Sequence, residues 1–589
     1  MNLNKTFDIL DLYRTKFSTK KTAFAGKEKG QWVHYSAADY VNFSDQLSLG
    51  LIKTGLTKGE KVVTISNNRP EWNFTDMALS QTGAVHVPLF ANLEVADYIT
   101  LVNDCEAKYI FTGDPKLGIE LAQHLADMKS VKQVFTFDIT DKTTHWKNLL
   151  IDNTESATQL QADLEQRKKD ISPDDCVTLI YTSGTTGNAK GVMLSHRNLL
   201  SAANSAASVF KMTPEQRYLS ILPICHVGER MGCYQSQISG CDIYYGENLA
   251  TIAADLLDVK PQGFGAVPRI LEKVYDKIMA KGEKLTGIKK KLFFWSIKLG
   301  LEFAPGNEKS FGYRLKLKIA DKLVFSKWRA ALGGNVESIG VGGAALPPHI
   351  ERVFWAAGIK LLNMYGLTET APIITINRAK APLLKLGTVG AAAEGVEVKI
   401  APDGEILCKG PNVMLGYFKN ETATREAIID GWFHTGDIGT IDEQGFLRIT
   451  DRKKEIFKLS NGKYVSPQAV ENKFREWVYI DQIMVIGESE KFASALISPN
   501  MEALNNWCKE YGIAGSVLEK IENPIVKKFF HDQVNEFNKS LSDDEKIKRV
   551  KLVPDEWTPA SGELSPTLKL KRKIIAQKYA VLIEEIYLK

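Results

Sequence analysis

Within the segment YTSGTTGNAKGVML, residues Thr182 to Gly191 gather glycines, small hydroxyl residues and one lysine, with no large apolar side chain to build a core. Its usefulness must lie in its backbone, its hydroxyls and its single cation. Gly184, Gly187 and Gly191 permit geometries in which successive N–H groups converge, while Ser183, Thr185, Thr186 and Lys190 add hydroxyl donors and a positive charge. That is a grip for phosphate, and a triphosphate is a fitting guest. The spacing is not the G-x-x-x-x-G-K-[ST] loop, whose lysine opens a helix. For the segment taken alone, a flexible surface loop is the competing reading.

Two further stretches carry reactive or permissive residues. In GVGGAALPP, from Gly340 to Pro348, the glycines at 342 and 343 let a ligand approach the backbone closely, and a plain tight turn is the alternative. In LPICHVGERMG, His226 titrates near neutrality and could orient a carboxylate as a neutral or a cationic imidazole; a buried structural histidine is the alternative. Cys225 and Cys233 flank it, but these spacings match no zinc pattern.

The elements that must position these residues follow from hydropathy. Short β-rich runs begin at 61 (KVVTIS), 84 (AVHVPLF), 107 (AKYIFTG), 176 (CVTLIY) and 338 (SIGVGG), alternating with helical patterns. The glycine segment is therefore strand, loop, strand, and SHRNLL opens a helix at a serine cap. After Asp451 the texture changes: EIFKL, IMVIG and ASALIS read as strands. Ser466-Pro467 starts a helix with Val470, Phe474 and Trp477 along one face. The expected fold class is α/β, with a large multi-subdomain N-terminal domain over 1–450, built of mixed sheets and helices, and a small mobile α+β lid over 451–589.

The chain has 589 residues, 44% hydrophobic and 25% charged, too long for one core and ordinary for a globular protein. Net charge is +5, yet residues 281–330 hold thirteen Lys/Arg against four Asp/Glu, so that segment alone carries +9 and the rest −4. A general nucleic-acid footprint is not expected. Seven scattered cysteines form no C-x-x-C pair, no run of eighteen apolar residues appears, and the first residues lack an apolar signal core. A cytoplasmic protein is expected.

Four segments in order, YTSGTTGNAKGVMLSH, MYGLTET from 364, GWFHTGDIG from 431 and DRKKEIFKLSNGKYVSP from 451, resemble the signatures of the adenylate-forming superfamily. That superfamily includes acyl-CoA synthetases, luciferases and the adenylation domains of peptide synthetases, and the resemblance spans nearly the whole chain. It implies an N-terminal domain of three subdomains, a mobile C-terminal domain, and activation of a carboxylate by attack on the α-phosphate of ATP. A thiol then displaces AMP. It casts Thr182, Ser183, Gly184, Thr185, Thr186, Gly187 and Lys190 as the phosphate grip, and Gly343, Ala344, Tyr365 and Gly366 as the lining of the adenine and acyl sites. Thr368 would bond phosphate, Glu369 would hold Mg²⁺, Asp437 with Arg452 would clamp the ribose, and His226 would sit beside the carboxylate. Lys569, in GELSPTLKLKRK, would reach over the site during adenylation; Lys571 and Lys573 alternate with it as a strand would place them, so a solvated basic tail is its competing reading. Lys454 would be the hinge. Gly462 and Lys463 would line the thiol channel, with the register around Asn461 open.

HVGERMG and KLSNGKYVSP look most like long-chain fatty acyl-CoA synthetases, which implies a long-chain fatty acid, ATP and CoA as substrates with Mg²⁺. The sequence runs only twenty residues past Lys569, so free CoA is expected rather than a fused carrier. The alternatives are a fatty acyl-AMP ligase or an acyl-carrier-protein synthetase, a binder without turnover, and luciferase-type side chemistry. Residues 289–328 mix Lys with Phe, Trp and Leu at helical spacing, as an amphipathic helix does on an inner membrane surface or on the protein's own core.

Overall fold

A computed structural model of the protein describes residues 3–152, 157–182, 189–248, 250–305, 310–380, 382–475, 477–565 and 568–588. The predicted runs at 61, 84, 107 and 176 form the strands Lys61–Ile65, Val85–Leu89, Tyr109–Thr112 and Cys176–Thr182. They pair in parallel inside an eight-stranded sheet, as near-continuous apolar runs covered on both faces should. One edge turns antiparallel: Cys176–Thr182 pairs with Lys190–Ser195, which pairs with the short strand Gly416–Tyr417.

A nine-stranded sheet contains Ser338–Val341 between Gly263–Ala266 and Lys360–Tyr365, all parallel. Helices lie between the two sheets. All thirteen residues of Pro70–Thr82 are buried, the pattern of a helix covered all round. The helix Val227–Ser239 touches both sheets: Arg230 Nη1 donates to Thr178 Oγ1 of one at 2.7 Å, and Glu229 accepts from Tyr218 of the other at 3.2 Å. The Arg230 guanidinium also meets the fully buried Asp76, which accepts from Tyr234 and lies 2.7 Å from His86. Arg230 and His86 hold Asp76 ionised against the desolvation that opposes it. A buried charge tolerates such a place only when paired and hydrogen-bonded like this.

A five-stranded antiparallel sheet follows, in which Trp432–Ile441 pairs with Glu405–Lys409 and with Leu447–Arg452. Beyond it come the hairpin Phe457–Lys458/Tyr464–Val465, a three-stranded sheet (Ile480–Ile486, Ser494–Pro499, Arg549–Leu552) and a separate apolar core around Val470, Phe474, Ile483 and Phe530. The α/β class and the large and small parts are thus as predicted.

Details differ. The helix Pro467–Phe474 stops short of Trp477, which packs edge-on to Phe530 instead. Ser466 occupies the cap position, but its hydroxyl donates to Asp451 and not into the helix. The amphipathic segments are the helices Gly287–Leu301 and Phe311–Ala320; the first buries Phe293, Ile297 and Leu299 against the protein's own core. Among the described residues, no helix is long and apolar enough to cross a membrane.

Candidate active site

One cavity of about 3010 Å³ is lined by Thr182, Lys190, His226, Gly343, Ala344, Tyr365, Gly366, Thr368, Glu369, Asp437, Arg452, Lys454 and Lys569. Ordinary small-molecule pockets reach about 1,000 Å³. This one is large enough for a nucleotide and a second substrate together. Ser183, Gly184, Thr185, Thr186 and Gly187 lie outside the described residues. The flanking register, Thr182 opposite Lys190 and Tyr181 opposite Gly191, makes the two predicted strands.

Asp437 is fixed by sheet pairing. It sits directly across from Arg452, whose Nε donates to Oδ1 at 2.9 Å, while the Tyr365 hydroxyl donates to Oδ2 at 2.7 Å. Asp437 is only 5% exposed. Each carboxylate oxygen accepts more than one hydrogen bond, so the pair can still receive two hydroxyls. Burial and the neighbouring Asp437 charge push the Tyr365 phenol far above its ordinary range, so it serves as a donor.

Glu369 lies on the single turn Thr368–Thr370, and the Tyr417 hydroxyl donates to its Oε1 at 2.9 Å. Tyr417 also carries the Lys190 ammonium 4.8 Å above its ring. The edge strand Gly416–Tyr417, paired to Met193 and Val192, therefore draws the hairpin's cation and the acid to one residue. Among the described residues no three His, Cys, Asp or Glu cluster as a metal cage. A single carboxylate held from one oxygen fits Mg²⁺, which completes its shell from phosphate and water.

The glycines have different causes. Gly343 has φ +87°, in the left-handed region that glycine favours. At Gly366 a Cβ would fall 1.8 Å from the Pro372 carbonyl oxygen, so the chain's own turn demands glycine there.

His226 caps the helix Val227–Ser239: its Nδ1 accepts from the Gly228 amide at 3.1 Å. Burial, and secondarily Lys569, lower it to about 4. The cationic form expected as one option is thus disfavoured near neutral pH. A neutral ring with Nδ1 accepting carries its proton on Nε2. Cys225, beside it, is pushed up to about 12 by burial, a protonated thiol and not a ligand.

Lys569 is accessible, but on the wall of this cavity. Its ammonium is lowered from the usual lysine range, first by desolvation and then by Arg452, while Asp437, Glu455 and Glu369 pull the other way. The predicted alternation with Lys571 and Lys573 does not hold. Leu568 adopts φ +61° and a helix begins at Arg572, so the three lysines are not on one strand face. Arg572 itself is clasped by Glu455 at 2.9 Å and by both oxygens of Glu471 at 2.8 Å. Gly462, at φ +87°, and Lys463 form the tip of the hairpin, with Gly462 N donating to Leu459 O and Lys463 N to Asn461 Oδ1. Neither residue lines the cavity.

A family model for the AMP-binding enzyme matches residues 14–418, and one for the AMP-binding enzyme C-terminal domain matches residues 454–589. The chain belongs to the AMP-binding enzymes. This AMP-binding enzyme is 33% identical over 569 residues to the long-chain-fatty-acid–CoA ligase FadD15 of Mycobacterium tuberculosis, covering 95% of this chain and 93% of that one. Its fold matches an anthranilate CoA ligase, AuaEII, solved with anthranoyl-AMP (TM-score 0.72, 16% identity, 98% of each chain). It also matches the o-succinylbenzoate CoA synthetase of Bacillus subtilis solved with ATP and magnesium (TM-score 0.67, 19% identity, 96% of this chain and 98% of that one).

Sequence reasoning about this AMP-binding enzyme missed Tyr417, Arg572 and the buried Glu229. Tyr417 stands in LGYF with no local pattern to single it out; only the strand pairing reveals its two partners. Glu229 lines the cavity, and desolvation raises it to about 8 against the Ser220 and Tyr218 hydroxyls that favour its ion.

Proposed function

We propose that the protein activates a long-chain fatty acid with ATP and transfers the acyl group to CoA, releasing AMP and pyrophosphate. The observation that carries this reading is the convergence of Lys569 from the C-terminal part with Glu369, Asp437 and Arg452 in one cavity that also runs beside His226. The names of the relatives and the apolar lining residues Leu222, Val267, Ile270 and Val341 support the acyl class.

In the first step a carboxylate oxygen attacks the α-phosphorus and the bond to pyrophosphate breaks. His226 donates its Nε2–H to the carboxylate and orients it without adding a competing cation. Asp437 receives the ribose hydroxyls, with Arg452 and Tyr365 holding its position, and Lys190 and Thr368 bond phosphate oxygens. Lys569 meets the charge that grows on the α-phosphate. Glu369, steadied by Tyr417, would hold Mg²⁺, which neutralises phosphate charge when bound. In the second step the thiol sulfur attacks the acyl carbon, the bond to AMP breaks, and the thiol proton leaves. We assign the boundary to 450/451 and the turning point to Lys454, which would withdraw Lys569 and bring Gly462 and Lys463 toward the thiol.

The test is release of AMP and pyrophosphate over carboxylic acids from acetate to oleate, with and without CoA. Turnover that rises with chain length and requires CoA is expected. AMP release indifferent to CoA points to an acyl-AMP ligase, and formation of ADP with phosphate overturns the reading.

A further inference from the structure

The helix Phe311–Ala320 continues through a wider turn, Asp321–Phe325, into Ser326–Ala331. Its inner face is accounted for: Leu317, Ala320, Val324 and Trp328 join the core, and the Tyr313 hydroxyl donates to the Leu299 carbonyl at 3.0 Å. Its outer face is apolar too. Phe311 is 75% exposed, Leu315 50%, Ile319 44% and Leu323 41%. A step of four residues advances about 40° around a helix, so these side chains form one slanting stripe over two turns and more. No packing need of this chain explains four large apolar groups left in water along one line.

Charge tells what covers them. Arg314, Lys318 and Lys322 border one side of the stripe and Lys316 the other, and all four are exposed. Among the described residues none of them has a carboxylate within ion-pair distance, whereas Lys290 and Arg329 nearby are paired with Glu283 and Asp321. Apolar side chains edged by unpaired cations fit the boundary of an anionic bilayer, where the stripe enters the acyl region and the cations meet phosphate. An acidic protein groove would supply the charge but is a less economical match to a stripe with cations on both sides.

Two helices separate the stripe from the cavity. The inner face of the stripe's own helix packs on Gly287–Leu301, whose Gly300 lies so close to Val353 that a Cβ would touch it at 3.4 Å. On that same helix as Val353, Arg352 lines the cavity and donates to the Phe303 carbonyl at 2.9 Å.

We propose that the outer face of residues 311–323 docks the enzyme on an anionic phospholipid membrane, from which it draws fatty acid. The docking stands on the surface alone; the fatty-acid supply rests on the acyl-activating reading. Flotation of the full-length protein with vesicles of phosphatidylcholine, alone or mixed with phosphatidylglycerol, tests it. Binding to the mixed vesicles only, weakened by salt, is expected. Lys316→Gln/Lys318→Gln/Lys322→Gln should lower partitioning roughly a hundredfold, about fivefold for each of three charges. Leu315→Glu/Ile319→Glu should abolish it, while both variants keep wild-type AMP release on octanoate in free solution. Equal flotation by wild type and variants, equal binding to uncharged vesicles, or loss of a dimer in the variants in place of loss of vesicle binding would each overturn the proposal. Flotation without AMP release from any acid would instead overturn the activity and leave the docking intact.

Discussion

Asp437 and Lys569 line the same cavity and are held in opposite ways. Asp437 lies mid-sheet, its register fixed by Arg452 across the ladder, with both carboxylate oxygens already bonded. Lys569 rides a short loop. Its backbone is tied to Ser565, but among the described residues its ammonium has no hydrogen-bond partner. On the proposed roles, the nucleotide half of the site would be built before substrate arrives, while the lid half would be completed by the phosphate itself. A group bound only by the substrate can leave when the substrate changes.

Removing each side should expose that contrast. The largest effect is expected from Lys569→Ala. A cation about 4 Å from phosphate charge is worth roughly 4 kcal/mol at an effective dielectric of 20, so adenylation should fall about a thousandfold. Thioester formation from a supplied acyl adenylate should change less than about threefold, since the lysine is withdrawn then. Equal losses in both steps would place Lys569 among the fixed groups. Asp437→Ala should cost roughly a hundredfold in kcat/KM for ATP, from two hydrogen bonds of about 1.5 kcal/mol each. Unlike the lysine variant, it should damage both half-reactions, because AMP occupies the clamp throughout.

Tyr417→Phe removes the donor to Glu369 but keeps the ring under Lys190. About a tenfold loss is expected, together with a higher Mg²⁺ requirement in a metal titration. An unchanged metal dependence would show that Glu369 needs no steadying. The smallest effect concerns the joint. Burial, with Glu455 and Glu471 adding to it, raises Asp451 to about 7. A folded pKa above the unfolded one means that the protonated joint is stabilised below the ordinary carboxylate range and loses that stabilisation as pH rises through 7. Melting temperature should therefore fall between pH 6 and pH 8 (on the order of one or two degrees), and Asp451→Asn should flatten the part of the slope due to this group. Identical slopes would remove Asp451 from the account.

What the sequence made legible was local. Apolar runs at 61, 84, 107, 176 and 338 became buried parallel strands, because a sheet covered on both faces selects for little else. The glycine segment's flanks paired as read, while the strand Leu447–Arg452 of the five-stranded sheet runs past the change of texture read at Asp451. What escaped depended on pieces far apart in the chain. Tyr417 reaches Glu369, 48 residues away, only through an edge-strand pairing. The competing reading, a row of three lysines on one strand face, failed because Leu568 turns left-handed and Arg572 starts a helix, neither of which composition announces. Whether the stripe at 311–323 was core or surface could not be read from its spacing, since a helix apolar on two sides shows the same periodicity as one packed on one.

The clasp of Arg572 by Glu455 and Glu471 reaches beyond local stability. All three belong to the C-terminal part, and they fasten the stretch that follows Lys569 to the residue just after the charged tetrad. A crank is therefore welded to its axle: on the proposed roles, Lys569 would leave the phosphate through a turn of the C-terminal body, since the stretch behind it is fastened at Arg572. On that reading, timing between the two chemical steps would belong to a single angular movement.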